Sequence, residues 1–264
     1  MLASLWGLLS MRSLFQFREP DPVPVVEPAP TVFPKIEGAE IAAVFVGKRV
    51  AGDFYDSLRV SPERVLFGLL DVAGRREDNR GILAGAQEIF RKFGTELFSR
   101  PDINESEAMT ELSLRINRTI IETSSGVRSC PAFIGCYHEK FGTLCYTNAG
   151  HTPGLLRGAN GITELTSGGL PLGLFSHATS DAPTVGVEIG AALLLVSRGV
   201  VECEGHHETR GEEFGLAAIK QLLQSAPANS AQELCASVLK TVGEYSGGSP
   251  LCDDRTALAL MRNA

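Results

Sequence analysis

The chain has 264 residues, of which 44% are hydrophobic, enough to bury the core of a single domain of about 200 residues or more. Its net charge is -7 and its Lys and Arg residues form no sustained basic run, which argues against nucleic acid as a main partner. Six cysteines are spread along the chain without close pairs. This distribution favours reduced core cysteines and a cytoplasmic location over a disulfide framework.

The N-terminal part divides into two segments. Residues 1–18 are apolar but are interrupted by Arg12, and they fall short of the roughly 20 residues that span a bilayer. Two interpretations of residues 1–17 stay open: a helix that binds a membrane surface or a partner, and a tail that packs on its own domain or stays mobile. Residues 19–34 are rich in proline and predict an extended linker, so we expect the globular domain at residues 35–264.

The first half of the domain combines strands and helices. Residues 41–58 predict a strand that ends in a bend at Gly52 and is followed by Asp53 to Asp56, and "RVLFGLLDVAG" predicts a second strand that stops at Asp71. Apolar residues at helical spacing predict helices at about 81–98 and 105–122. Asn104 with Glu107 is the expected capping pair of the second helix.

The second half adds hairpins and another helix pair. One hairpin is predicted to turn near Lys140 and Gly142, and another on Asn160 and Gly161. The segments "TVGVEIG", "ALLLVS" and "RTALALM" predict further strands, and helices at about 213–224 and 231–245 separate the last two. Ser230 and Glu233 are expected to open the second of these helices. Hairpins in the middle with helix pairs on either side predict an α+β domain, a β-sandwich flanked by helices.

Acidic residues border three of the predicted strands. They are Asp53 and Asp56, then Asp71, and finally Asp253 and Asp254. Carboxylates that converge from strand ends are the ligands that Mg²⁺ and Mn²⁺ prefer. Spacing alone leaves open the alternative that these acids only cap strands and solubilise turns.

A second possible metal site is the segment "CEGHH", which contains Cys203, His206 and His207. It lies in a stretch rich in Gly and Glu and lacks a second pair of ligands. We therefore interpret it as a solvated loop.

Seven motifs in one order resemble the PPM family of metal-dependent serine/threonine phosphatases, in its bacterial SpoIIE-like branch. The resemblance covers about residues 36–262. The motifs are "VAGDFYD" (50–56), "LLDVAG" (69–74), "NAGHTPGLL" (148–156), "GGLPLGLF" (168–175), "LLLVSRGVVE" (193–202), "GEEFG" (211–215) and "DDRTALALM" (253–261).

The resemblance implies an αββα sandwich that holds two Mn²⁺ or Mg²⁺ ions, which activate a water for direct attack on phosphorus. Asp53, Asp71 and Asp253 are then the catalytic candidates. Asp71 would bridge the two ions, the Val72 carbonyl would add a ligand, Asp53 would hold metal-bound water, and Asp253 would complete the other ion's site.

The resemblance also implies roles outside the metal ligands. Asn148, Gly150 and His151 would be structural turn residues under the cleft, and Phe54 and Tyr55 would be core or cleft-wall aromatics. Members of this branch often dephosphorylate anti-sigma-factor antagonists, so a phosphorylated regulatory protein is the implied partner.

Arg198 departs from the family pattern. It stands where the family has the metal-binding aspartate of a Thr-Asp-Gly sequence, so one ligand is replaced by a cation. The side chain could turn outward, pair with Asp71 or Asp253, or bind a phosphate bidentately. Two functions therefore stay open: a phosphatase with reduced or altered metal dependence, and a pseudophosphatase that holds a phosphoprotein without hydrolysing it.

A second departure is the polar segment "DVAGRREDNRG", which is predicted to form a longer loop than the family has. Arg75, Arg76 and Arg80 lie in it. They are expected to be solvated, and the alternative is that they bind a phosphoprotein substrate.

Overall fold

The computed structural model describes residues 27–47, 52–72, 74–124, 126–177, 180–206, 209, 211–225, 229–247 and 253–264. The predicted apolar segment 1–18 lies outside these ranges, as does Cys252. In the described residues the strands are β1 (Ala39–Val46), β2 (Gly52–Ser61), β3 (Arg64–Val72), β4 (Ala132–His138), β5 (Thr143–Ala149), β6 (Gly154–Gly158), β7 (Gly161–Leu165), β8 (Thr184–Gly186), β9 (Ala192–Val196) and β10 (Arg255–Arg262). The helices are α1 (Arg76–Phe98), α2 (Glu105–Thr123), α3 (Arg198–Val201), α4 (Gly215–Ser225) and α5 (Ala231–Tyr245).

The strands form two five-stranded antiparallel sheets that pack face to face. The first sheet has the order β1-β10-β9-β6-β7, and the second has the order β2-β3-β4-β5-β8. One apolar cluster fills the space between the sheets, a second joins β2–β5 to α1 and α2, and a third joins the first sheet to α4 and α5. The predicted α+β class and αββα layering are confirmed.

Local signals placed the starts of α2 and α5 and the two hairpins correctly. Asn104 Oδ1 accepts hydrogen bonds from the backbone N–H groups of Ser106 and Glu107 at 3.2 and 3.3 Å, which caps α2. Ser230 Oγ accepts from the N–H of Glu233 at 3.1 Å and caps α5. The two predicted hairpins are β4–β5 and β6–β7.

Three elements differ from the prediction. Residues 41–58 are two strands in different sheets, because β1 pairs with β10 whereas β2 pairs with β3. Helix α1 begins at Arg76, so the polar loop predicted there is wrong: Arg76 and Arg80 lie in the first turns of the helix. Arg198 opens the one-turn helix α3, which the sequence did not predict.

The described part of the proline-rich segment contacts the domain. Gln87 of α1 accepts a hydrogen bond from the N–H of Ala29 at 2.6 Å and donates to the carbonyl of Ala29 at 2.9 Å. Thr31 Oγ1 donates to the carbonyl of Tyr55 in β2 at 2.8 Å. The domain boundary at residue 35 stays a prediction, and residues 29–31 are anchored on α1 and β2.

The five described cysteines are buried and free, in agreement with the predicted reduced core. None of the helices within the described ranges is both long and apolar enough to cross a membrane.

Candidate active site

Two predicted site residues meet at one edge of the second sheet. Because β2 and β3 are antiparallel, the start of β2 and the end of β3 lie side by side, and Asp53 is the direct register partner of Asp71. Side chains of such partners lie on the same face, with their Cβ atoms about 5 Å apart. Both aspartates are buried, with exposed fractions of 6% and 3%.

Gly52 keeps the neighbouring backbone close. It pairs with Val72, and a Cβ added at Gly52 would lie 2.4 Å from the Val72 carbonyl oxygen. This carbonyl accepts a hydrogen bond from Asn79 Nδ2 of α1 at 3.3 Å, which ties the start of the helix to the end of β3.

The first sheet contributes the opposite wall of the site. Thr256, the second residue of β10, donates its hydroxyl hydrogen to Asp53 Oδ2 at 2.7 Å and so connects the two sheets. Ser197 follows β9, and its hydroxyl oxygen accepts from the N–H of Thr256 at 3.0 Å. Asp253 precedes β10, and its carboxylate accepts from the N–H of Asp254 at 2.9 Å. We call Asp53, Asp71 and Asp253 the carboxylate cluster.

Arg198 points into the carboxylate cluster rather than away from it. Its Nη2 lies 3.4 Å from Asp253 Oδ2, and its Nε lies 4.0 Å from Asp71 Oδ2. Its Nε also lies 3.7 Å from Glu202 Oε2, one helical turn further along. Of the alternatives left open by the sequence, the structure has the inward one, with Arg198 placed between Asp71 and Asp253.

Burial disfavours the charged forms of Asp53 and Asp71. Burial, followed by repulsion from Asp71, raises the pKa of Asp53 to about 8. Burial also raises the pKa of Asp71, and the positive charge of Arg198 opposes that rise. A positive charge next to the two carboxyl groups favours their charged forms.

The oxygen donors beside the end of β3 are of the kind that a divalent ion binds. Two adjacent carboxylates, Asp53 and Asp71, and the Val72 carbonyl would supply ligands that suit Mg²⁺ and Mn²⁺. Throughout the described residues, however, no three His, Cys, Asp or Glu side chains are grouped closely enough to hold a metal. Arg198 lies between Asp71 and Asp253.

Other predicted residues lie outside the carboxylate cluster. Asp56 is three residues beyond Asp53 and therefore projects from the opposite face of β2, where it pairs with Arg91. Of the three arginines for which a loop was predicted, Arg75 is exposed and lies 3.6 Å from Asp78, whereas Arg80 Nε lies 3.0 Å from Glu27 Oε1.

The segment "CEGHH" is not grouped as a metal site in the described residues. The Cys203 side chain is buried in the core beneath α5, and its Sγ lies 3.8 Å from the Val242 carbonyl oxygen. His207 lies outside the described residues.

Residues 148–152, at the end of β5 and in the turn that follows, contact the C-terminal end of β9. Asn148 Oδ1 accepts from the N–H of His151 at 2.8 Å, and Thr152 Oγ1 donates to the carbonyl of Val196. Gly150 has φ +70°, and a Cβ there would lie 2.4 Å from Pro171 Cγ. These contacts are those of a tight structural turn.

The two aromatics that follow Asp53 belong to different cores. Phe54 packs against the cluster under α1 and α2, and Tyr55 packs between the sheets and stacks on Phe33 with ring centroids 6.1 Å apart.

Sequence reasoning missed Thr256 and Glu202 as members of the site. The signal for Thr256 was available, since it is the one hydroxyl residue in the apolar strand "TALALM" after two aspartates. Glu202 could be found only by knowing that α3 is helical, because the helix brings residues four apart together.

Comparison with known proteins identifies the family of the chain. The family described as stage II sporulation protein E (SpoIIE) matches residues 61–263. Protein IcfG of Synechocystis sp. is 24% identical over 254 residues, which cover 89% of this chain and 39% of that protein. The chain thus spans about two fifths of the curated relative that it matches.

Solved structures share the fold. The SiaA-PP2C domain of Pseudomonas aeruginosa superposes with a TM-score of 0.69 at 16% identity, covering 84% of this chain and 85% of that one. The RsbU and RsbW domains of Rv1364c from Mycobacterium tuberculosis give 0.68 at 22% identity, covering 88% and 62%.

Two further structures with this fold contain metal. RsbX in complex with magnesium has a TM-score of 0.61 at 13% identity, covering 86% of this chain and 96% of that one. The catalytic domain of the serine/threonine protein phosphatase PstP in complex with two manganese ions has 0.58 at 14% identity, covering 84% and 97%.

Proposed function

Since this chain belongs to the SpoIIE family, we propose that it is a metal-dependent protein-serine/threonine phosphatase of the PP2C type. The observation that carries the proposal is the meeting of Asp53, Asp71 and Asp253 at one end of the sandwich, although they come from distant parts of the chain. Family membership and the shared fold support the reaction class.

A divalent ion, Mn²⁺ or Mg²⁺, would be held by Asp53, Asp71 and the Val72 carbonyl. When bound, such an ion supplies positive charge to phosphoryl oxygens and activates a water molecule. Neighbouring residues of the chain position the carboxylates that would hold the ion. Thr256 orients the Asp53 carboxylate by a 2.7 Å hydrogen bond to one of its oxygens, and the Ser197 hydroxyl is a second hydrogen-bonding neighbour.

Arg198 would hold the substrate's phosphoryl group. Its side chain is 47% exposed, so one side of the guanidinium faces solvent while the other faces Asp71 and Asp253. A guanidinium presents two parallel N–H donors that match two phosphoryl oxygens. Because it also repels cations, we expect Arg198 to lower the activity relative to a site with aspartate at this position.

The proposed substrate is phosphoserine or phosphothreonine on a regulatory protein in the cytoplasm, such as an anti-sigma-factor antagonist. The resemblance to the SpoIIE-like branch supports this choice, and so does the M. tuberculosis chain of the same fold that carries RsbU and RsbW domains. The five free cysteines are consistent with a reducing compartment. Binding of residues 1–17 to a membrane stays a prediction, and co-sedimentation of full-length and tail-deleted protein with liposomes would test it.

The test is hydrolysis of a phosphoserine peptide by the full chain at increasing Mn²⁺ concentration. We expect phosphate release by the wild type and by Asp102→Asn, a matched change in the exposed turn between α1 and α2, and none above background by Asp71→Asn. Equal rates for wild type and Asp71→Asn would overturn the proposal. Binding of the peptide without hydrolysis by the wild type would instead identify the pseudophosphatase.

A further inference from the structure

The backbone next to Arg198 lies very close to the segment that contains Asp253. After β9 the chain turns at Ser197 into α3, whose second residue is Gly199. A Cβ at Gly199 would lie 2.2 Å from the Asp254 carbonyl oxygen and 3.1 Å from the Cβ of Asp253. Only glycine permits this approach, and the approach keeps Arg198 next to Asp253.

The guanidinium lies between the Asp71 and Asp253 carboxylates and offsets the repulsion between their negative charges. Its nitrogens lie 3.4 Å from Asp253 Oδ2 and 4.0 Å from Asp71 Oδ2. Glu202 Oε2 lies 3.7 Å from the Nε of the same guanidinium. Asp53, in contrast, takes part in no ion pair among the described residues, and its carboxylate is hydrogen-bonded to the uncharged hydroxyl groups of Thr256 and Ser197.

From this arrangement we propose that Arg198 permanently replaces one of the two metal ions of the fold, so that the protein binds a single divalent ion at Asp53, Asp71 and the Val72 carbonyl. The inference rests on the proposed function, because the ion is the one that the phosphatase would use. The inference adds that the Arg198 side chain takes the place of the other ion.

The charge of residue 198 favours one ion over two. When all three aspartates of the carboxylate cluster are ionised, they contribute three negative charges against the one positive charge of Arg198, and Glu202, 3.7 Å from the Arg198 Nε, adds a further negative charge. Aspartate at position 198 would replace that positive charge by a negative one. Arg198 therefore makes the site two charge units less attractive to cations than a site with aspartate at this position.

Repulsion excludes the second ion. A divalent ion bound to Asp253 Oδ2 at about 2.1 Å would lie within about 5.5 Å of Arg198 Nη2, which is 3.4 Å from that oxygen. At an effective dielectric constant of about 20, and after allowance for solvent screening, the repulsion weakens binding of that ion by roughly 100-fold or more.

The test is the number of Mn²⁺ ions bound, measured by isothermal titration calorimetry and equilibrium dialysis without substrate. We expect one ion for the wild type and two for Arg198→Asp, which restores an oxygen ligand and removes the repulsion. Arg118→Asp makes the same charge change on the exposed face of α2 and should leave the number at one.

Two ions bound by the wild type, or one ion bound by a folded Arg198→Asp variant, would overturn the inference. If Arg198→Asp fails to fold, Arg198→Asn offers a neutral oxygen ligand and should bind a second ion at least tenfold more tightly than the wild type. An unchanged affinity in that variant would also overturn the inference.

The phosphatase assay separates the two proposals. One ion per wild-type chain without peptide hydrolysis would contradict the proposed function alone. Two ions with hydrolysis would contradict the single-ion inference alone, and no ion in any variant would contradict both.

Discussion

Replacement of Arg91 by methionine should leave Asp56 as a buried carboxylate without its cation. Asp56 is 2% exposed, and Arg91 binds it bidentately, with Nε 2.7 Å from Oδ2 and Nη2 3.0 Å from Oδ1. Gln87 Nε2 donates a further hydrogen bond to Oδ2 at 3.1 Å. The network joins α1 to β2, on the face of β2 opposite to Asp53.

The expected loss of stability depends on how deeply each partner of the Arg91–Asp56 ion pair is buried. Loss of one partner from a fully buried ion pair destabilises by about 3–5 kcal/mol. Since 38% of the Arg91 side chain is exposed and Gln87 remains, we expect the free energy of unfolding to fall by about 2–3 kcal/mol.

Urea unfolding at pH 7, followed by circular dichroism, measures this change in a double-mutant cycle with Asp56→Asn. The double variant should be more stable than Arg91→Met, because no charge is left buried. Lys240→Met is the control, since the Lys240–Glu244 pair is 3.9 Å apart and largely exposed, and the change should stay within about 0.5 kcal/mol. A loss for Arg91→Met no larger than that of the control would refute the reasoning.

Three further predictions concern the site and its support. Gly199→Ala should destabilise the fold by roughly 1–3 kcal/mol, because the new methyl group would lie 2.2 Å from the Asp254 carbonyl oxygen, and an unchanged melting temperature would contradict this. Thr256→Val should cost about 1.5–3 kcal/mol in urea unfolding at pH 9, where Asp53 is ionised, because it removes the hydroxyl that bonds the carboxylate. Burial lowers the pKa of His151 from 6.5 to about 4, so between these pH values only the unfolded chain takes up the proton, and stability falls as the pH is lowered. His151→Gln should remove up to about 3 kcal/mol of this loss, and identical pH profiles of unfolding for wild type and variant would disprove it.

Elements whose signal is local were predictable from the sequence. Strand β9 is a continuous apolar run and is fully buried, because both of its faces meet protein. The caps at Asn104 and Ser230 were predictable for the same reason, since an N-cap side chain bonds to N–H groups only two or three residues away.

Elements that depend on distant contacts were not predictable. The alternation in residues 41–58 continues through both β1 and β2, so it cannot reveal that the chain changes sheet, although 18 residues is long for one strand. The first turns of α1 have no apolar face of their own. They are held instead by Asn79, which donates to the Val72 carbonyl, and by Arg80, which pairs with Glu27.

The candidate site shows why a departure from a motif has to be judged in three dimensions. In the sequence, Arg198 appears as one lost ligand. In the structure it is a positive charge next to carboxylates from other segments. Its effect on the charge balance of the site therefore depends on Asp71, Asp253 and Glu202 together. A lost ligand alone would leave the remaining acids repelling one another, whereas a guanidinium in contact with them lowers that repulsion without any ion. Arg198 therefore changes the charge balance of the site, in addition to taking the place of an expected ligand.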